Sequence, residues 1–287
     1  MKIIYVAVFT ETSTNTPQAN AFEKLGHDVI RYDFKEKLKE FSDSATLRDD
    51  DLINICVSEN PDLLLFSKGV GIDSSIISTC QDICHVALWY MDPMINVDEK
   101  LQQKITQASS VFYTAPAVHR QLKDQNPQSY LIHEGYDPKI HKFYDKIDFL
   151  YNASFLGYLK EHRNQYYESY NFNCFTDKYN IDHCKIVNQT RINLNFTNNK
   201  EGTSDRAYKI MGAGGFLLTE SWEDLEKDFT PDEDLVIFNN ESEFKEKIEE
   251  YLVNISKRRF IARNGYNKVQ KFTVENWAKF IVEKVKL

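Results

Sequence analysis

The sequence predicts an α/β protein built from two Rossmann-like domains, and three observations carry that expectation. Its 287 residues suit two domains of roughly 150 residues each. Short continuous apolar runs alternate with amphipathic stretches along most of the chain. The alternation breaks once, over 134–148, where Gly135, Pro138 and several charged residues replace the periodic pattern. Runs that are apolar throughout belong to parallel strands covered on both faces by crossover helices.

The elements follow in order. The run 3–9 reads as a buried first strand. Thr10, Glu11 and Thr12 follow it without a small-residue cleavage site, so it is not read as a signal peptide. Pro17 opens a helix that Gly26 closes. Strands at 28–34, 63–66, 86–89, 111–113 and 130–132 then alternate with helices at 47–58, 74–83, 97–108 and 115–123. After the break, strands fall at 153–156, 173–175, 192–196, 216–218 and 235–238, with helices from 160, near 181–187 and at 204–211. Helices at 241–253, 257–269 and 274–285 complete the chain, the last with Trp277, Phe280, Ile281 and Val285 on one face. The expected organisation is a domain over 1–134, a hinge at 135–148, a second domain over 149–272 and a terminal helix over 273–287. Ligand contacts are expected at the carboxyl ends of the strands.

Composition narrows the function. Lys and Arg number 35 against 43 Asp and Glu, a formal charge of −8. That balance disfavours sequence-blind nucleic-acid binding, which depends on phosphate neutralisation. No run approaches the ~18 apolar residues of a membrane span. Five cysteines at 56, 80, 84, 174 and 184 lack framework spacing and read as reduced, cytoplasmic thiols. Cys80, Cys84 and His85 lack a second Cys–His cluster at metal-site spacing, and no metal is expected. The acidic runs Asp49–Asp51, in the first turn of a helix, and Asp232–Asp234, in a loop, read as structural.

Only ten glycines are present, and Gly212, Gly214 and Gly215 fall within four residues. They lie in the most informative segment, which runs strand, loop, helix, glycine turn, strand. Thr203 and Ser204 stand at the helix start, with Arg206 in its first turn, where backbone amides and a guanidinium can receive an anion. The glycines follow the helix, unlike those of a dinucleotide loop, and by spacing alone they read equally as a C-cap and tight turn. Thr219 and Glu220 close the next strand.

With Ser67-Lys-Gly69, Trp89–Pro93, His133–Pro138, Ser154–Arg163, Arg206–Glu220, Ile261–Gly265 and Trp277, the chain resembles the CgeB-like (spore maturation protein) glycosyltransferases, related to the group 1 transferases. The resemblance implies a GT-B fold, in which two parallel sheets face a central cleft and the C-terminal helix crosses back to the first domain. It implies a nucleotide-diphosphate sugar, UDP-type, as donor substrate, without cofactor or metal. Donor binding falls on Gly157, Arg163, Thr203, Ser204, Arg206, Lys209, Gly214, Gly215, Thr219 and Glu220. Related enzymes carry a ribose-binding glutamate where Lys209 stands, so Glu220 is the substitute. Thr12, Ser13, Asn15 and Lys68 are candidates for a hydroxyl acceptor. Asp92 is the candidate general base, with His119 a second candidate; Asp92 reads equally as a helix cap near Pro93. Domain closure near Gly135 is expected to exclude water. The expected activity is glycosyl transfer in the cytoplasm to a glycan, small molecule or modified nucleobase. A nucleotide-sugar epimerase or hydrolase and a non-catalytic nucleotide-sugar-binding protein are the alternatives.

Overall fold

The computed structural model describes residues 1–145, 147–160, 162–197 and 200–286. The chain forms two compact units, Met1–His133 with Val274–Leu287, and Glu134–Thr273.

In the first unit the order is β1 (Lys2–Ala7), α1 (Asn15–Lys24), β2 (Asp28–Asp33), α2 (Phe34–Glu40), α3 (Ala45–Glu59), β3 (Leu63–Ser67), α4 (Ser74–Gln81), β4 (His85–Tyr90), α5 (Glu99–Gln107), β5 (Ser110–Tyr113), α6 (Pro116–Leu122) and β6 (Ser129–Leu131). The sheet runs β2-β1-β3-β4-β5-β6, all parallel. Alternate residues of β1 feed opposite faces: Ile4 and Val6 enter one core, Ile3, Tyr5 and Ala7 the other. The second core also takes Trp277 and Ile281 from the terminal helix, whose Trp277 ring lies 5.4 Å from Trp89 and 5.3 Å from Phe22.

The second unit contains β7 (Tyr151–Leu156), α7 (Arg163–Ser169), β8 (Asn173–Phe175), α8 (Asn180–Asn188), β9 (Thr190–Asn195), α9 (Asp205–Gly212), β10 (Leu217–Glu220), α10 (Leu225–Asp228), β11 (Val236–Phe238), α11 (Glu241–Val253) and α12 (Ile255–Val269). The terminal helix, α13, is Val274–Val285. The second sheet runs β11-β10-β9-β7-β8, again all parallel.

Several local expectations change. α2 was not expected; Asp33 caps it by accepting from the backbone N–H groups of Lys35 and Glu36. α3 starts at Ala45 under a Ser44 cap, so Asp49–Asp51 lie beyond its first turn. There Asp49 accepts from the buried Arg48 guanidinium, which also donates to the Gly71 carbonyl at 2.6 Å. Residues 134–145 pack into the second unit, with Tyr136 and His141 buried.

His141 meets His183 of α8 in a T-shaped contact, with ring centroids 5.4 Å apart. Burial and the neighbouring Lys209 push His141 down to about 3, and burial pushes His183 well below the ordinary histidine range. Unfolding lets both rings protonate near pH 6.5, while the folded state resists. Stability is therefore expected to be intact above that pH and to fall as pH drops from about 6.5 toward 3. Urea titrations from pH 7 to 4 check this. His141→Phe should reduce the slope by up to ~1.4 kcal/mol per pH unit, the contribution of one proton.

Candidate active site

In the second unit, the carboxyl ends of β7, β9 and β10 and the start of α9 bring most of the expected donor residues together. Arg206 is the centre. Its Nε donates to the Leu156 carbonyl at 2.7 Å and its Nη1 to Asn195 Oδ1 at 3.1 Å. Its guanidinium lies over the Phe155 ring at 4.8 Å, and that of Arg163 approaches the same ring at 5.4 Å. Desolvation first, then the Arg163 charge, lowers Arg206 to about 10. Two guanidiniums sharing one ring form a concentrated positive spot whose mutual repulsion an anion would relieve.

Gly157 makes this approach possible. Its φ is +154°, and a Cβ there would stand 2.8 Å from Phe155 Cζ and 3.0 Å from Arg206 Nη2. Gly157→Ala is expected to cost ~1–3 kcal/mol through strain and to displace Arg206. Chemical denaturation, together with titration of a nucleoside diphosphate, reads both effects.

Asn195 ties the rest of the cluster. Its Nδ2 donates to Thr219 Oγ1 at 2.9 Å and to Thr203 Oγ1 at 3.3 Å. Ser204 occupies the N-cap position of α9, but its hydroxyl makes no capping bond. Glu220 is buried and accepts from the Thr197 backbone N–H at 2.8 Å, with His162 Nε2 3.2 Å from the same oxygen. Asn195, Thr197 and His162 were not singled out in the sequence. Their position at the ends of β9 and β7 was the available signal.

Lys209 and the glycine turn fall elsewhere. Lys209 lies one turn into α9 and pairs with Asp205. Gly214 and Gly215 precede β10 and so lie at the amino end of the sheet, away from Thr219 and Glu220 at its other end. They therefore lie apart from the Arg206 cluster with which they were expected to share donor binding: α9 carries the chain back across the sheet before the glycines are reached. Their missing side chains serve packing, since a Cβ on Gly215 would stand 2.8 Å from Asn193 Nδ2 and Val187 Cγ1.

In the first unit, Lys68 and Asp92 are brought together. Lys68 Nζ donates to Asp92 Oδ1 at 2.7 Å, at the ends of β3 and β4. Lys68 has a φ of +64°, and its loop is pinned from below: buried Lys104 donates to the Gly69 carbonyl at 2.7 Å. Asp92 caps no described helix; Asp98 caps α5 and Pro93 precedes the short turn at Met94–Asn96.

The loop after β1 is more structural than expected. Ser13 Oγ donates to the Val8 carbonyl at 2.6 Å and accepts from the Asn15 N–H. Asn15 Oδ1 accepts from Ser67 Oγ at 2.9 Å and from Tyr5 OH at 3.0 Å. Thr12 bonds only to Thr10 among the described contacts and is exposed. His119 packs on Tyr113 within α6, its Nε2 buried without a partner and its basicity lowered by burial. No described contact joins it to Asp92. Among the described residues, no group of three or more His, Cys, Asp or Glu side chains could hold a metal ion.

Residues 153–283 match the family model described as Glycosyl transferase-like. The chain is thus similar to a glycosyltransferase over a little under half of its length. Its fold is GT-B, shown by solved structures that align along its whole length. HepE of Anabaena in complex with UDP-glucose aligns with a TM-score of 0.74 at 10% identity, covering 100% of this chain and 99% of that one. An alpha-glucosyltransferase in complex with UDP-glucose and DNA containing an abasic site gives 0.72 at 11%, covering 100% and 99%. Sucrose-phosphate synthase from Thermosynechococcus elongatus gives 0.72 at 11%, covering 100% and 98%. No curated protein matches the chain. No described helix is long and apolar enough to cross a membrane.

Proposed function

We propose that this protein moves a sugar from a nucleoside-diphosphate donor, UDP-type, to a hydroxyl acceptor. The observation that carries the reading is the pair of guanidiniums, Arg163 and Arg206, on Phe155 beside the start of α9. There the donor diphosphate would meet fixed positive charge and the first N–H groups of the helix, without a metal ion. Thr203 and Ser204 flank that position, and Thr219 closes β10 beside it. Glu220, held by Thr197, would take the ribose hydroxyls in place of the glutamate that Lys209 replaces. HepE, with UDP-glucose in its structure, supports the donor class.

In the first unit Asp92 would accept the proton of the acceptor hydroxyl as the new glycosidic bond forms, and the nucleoside diphosphate would leave. Lys68, hydrogen-bonded to that carboxylate, would position it and contact the acceptor. The acceptor class is a glycan or small molecule; the charge of −8 weighs against duplex DNA. The finer placement among the CgeB-like transferases rests on the 206–220 motif. A cytoplasmic site of action fits five free cysteines.

Incubation with UDP-glucose, with and without a panel of hydroxyl acceptors, tests the reaction. Acceptor-dependent UDP release supports transfer. Conversion of the donor in the absence of any acceptor would favour an epimerase or hydrolase instead.

A further inference from the structure

The amino end of the second sheet holds a feature that the reaction does not use. A cavity of about 610 Å³ opens there, within the ~300–1,000 Å³ range of small-molecule sites. Phe143, Phe149, Phe216 and Tyr266 contribute apolar walls, and Gly214 and Gly215 form part of the lining. A Cβ on Gly214 would stand 3.0 Å from Phe143 Cδ2, so the glycine turn lets that ring lie against the backbone.

Four arginines complete the lining: Arg191, Arg258, Arg259 and Arg263. In a chain with excess negative charge, none of them makes an ion pair with a carboxylate among the described residues. Arg191 lies over Phe149 at 5.3 Å and donates to Asn152 Oδ1 at 3.0 Å. Arg258 is 5% exposed and donates to the Leu252 carbonyl at 3.2 Å. Arg259 and Arg263 are exposed and make no described hydrogen bond. The arginines thus gather positive charge around an apolar cavity.

The side-chain amide and hydroxyl that Asn188 and Thr190 bring to the lining are already used. Asn188 Nδ2 donates to the Cys184 carbonyl at 2.9 Å, and its Oδ1 accepts from the Tyr144 N–H at 2.8 Å. Thr190 Oγ1 donates to the Ile186 carbonyl at 2.7 Å. Neither side chain is left to read the edge of a nucleobase or the hydroxyls of a sugar. The wall therefore suits an apolar body, and the guanidiniums suit one anionic head.

We propose that this cavity binds a monomeric amphipathic phosphate, a single alkyl chain carrying a phosphate monoester. The alkyl chain lies on Phe143, Phe149 and Phe216, and the head group is held by Arg259 and Arg263. β9, six residues long, separates this site from the Arg206 cluster by roughly 17 Å at ~3.3 Å per residue, so the two ligands do not compete directly.

Calorimetric titration of the full chain with decyl phosphate, below its micelle-forming concentration, tests the proposal. Decyl phosphate should bind ~10-fold or more tightly than decanol, because only the former offers the charged head. The Arg259→Gln/Arg263→Gln variant and, separately, Phe143→Ser should each weaken it ~10-fold while leaving nucleoside-diphosphate binding unchanged. The proposal is overturned if decyl phosphate does not bind, if decanol binds as well, or if the double variant binds as tightly as the parent. Binding only to phosphatidic acid vesicles would replace the monomer with a membrane surface, and displacement by oligothymidylate would replace it with nucleic acid; either result overturns it.

Discussion

Arg206→Ala is expected to weaken nucleoside-diphosphate binding by ~100-fold or more. Two charge-assisted hydrogen bonds to a diphosphate, at ~1.5–3 kcal/mol each, set that scale. The side chain also joins Leu156 to Asn195, so its removal lowers stability as well. Arg206→Lys separates the two effects. It keeps the charge but not the planar fork that reaches Leu156, Asn195 and an anion together. Lysine should therefore leave binding at least ~10-fold weaker than in the parent protein, as measured by calorimetry on variants whose thermal unfolding is recorded in parallel. Full binding by the lysine variant would mean that the site needs only a point charge.

Asp92→Asn is expected to lower kcat by ~10²–10⁴-fold, the range for a positioned general base. Donor affinity should be unchanged, because the donor cluster belongs to the second unit. Asparagine retains an oxygen that can accept from Lys68, so the loop geometry should persist. Steady-state kinetics at saturating donor, together with donor titration, check both halves. An equal fall in donor affinity would point to a structural role for the Lys68–Asp92 pair.

The sequence made the strands legible because each is apolar throughout. β3, Leu63–Ser67, is buried at every position, which is the signature of a two-sided parallel sheet. The cluster around Arg206 was legible because a helix start after a strand is a local pattern. Other features depended on distant partners. α2 is short and largely charged, and its start is fixed by Asp33, which also accepts from the Phe9 N–H across the strand ends. The burial of Tyr136 and His141 in a polar-looking segment follows from contacts with α8 and α9, far away in sequence. Gly212 to Gly215 show the same limit. Their spacing announced a C-cap and tight turn, but only the path of α9 reveals that the turn lies at the amino end of the sheet. His162 became relevant through Glu220, 58 residues later.

The proposed transfer requires the second unit to receive a nucleoside-diphosphate sugar at Arg163 and Arg206. Isothermal calorimetry of the full chain against UDP, GDP, ADP, CDP and TDP tests it most directly. The expected result is that UDP binds at submillimolar concentration and that Arg206→Ala removes the heat of binding. Absence of binding by all five at millimolar concentration, or undiminished binding by Arg206→Ala, would contradict it.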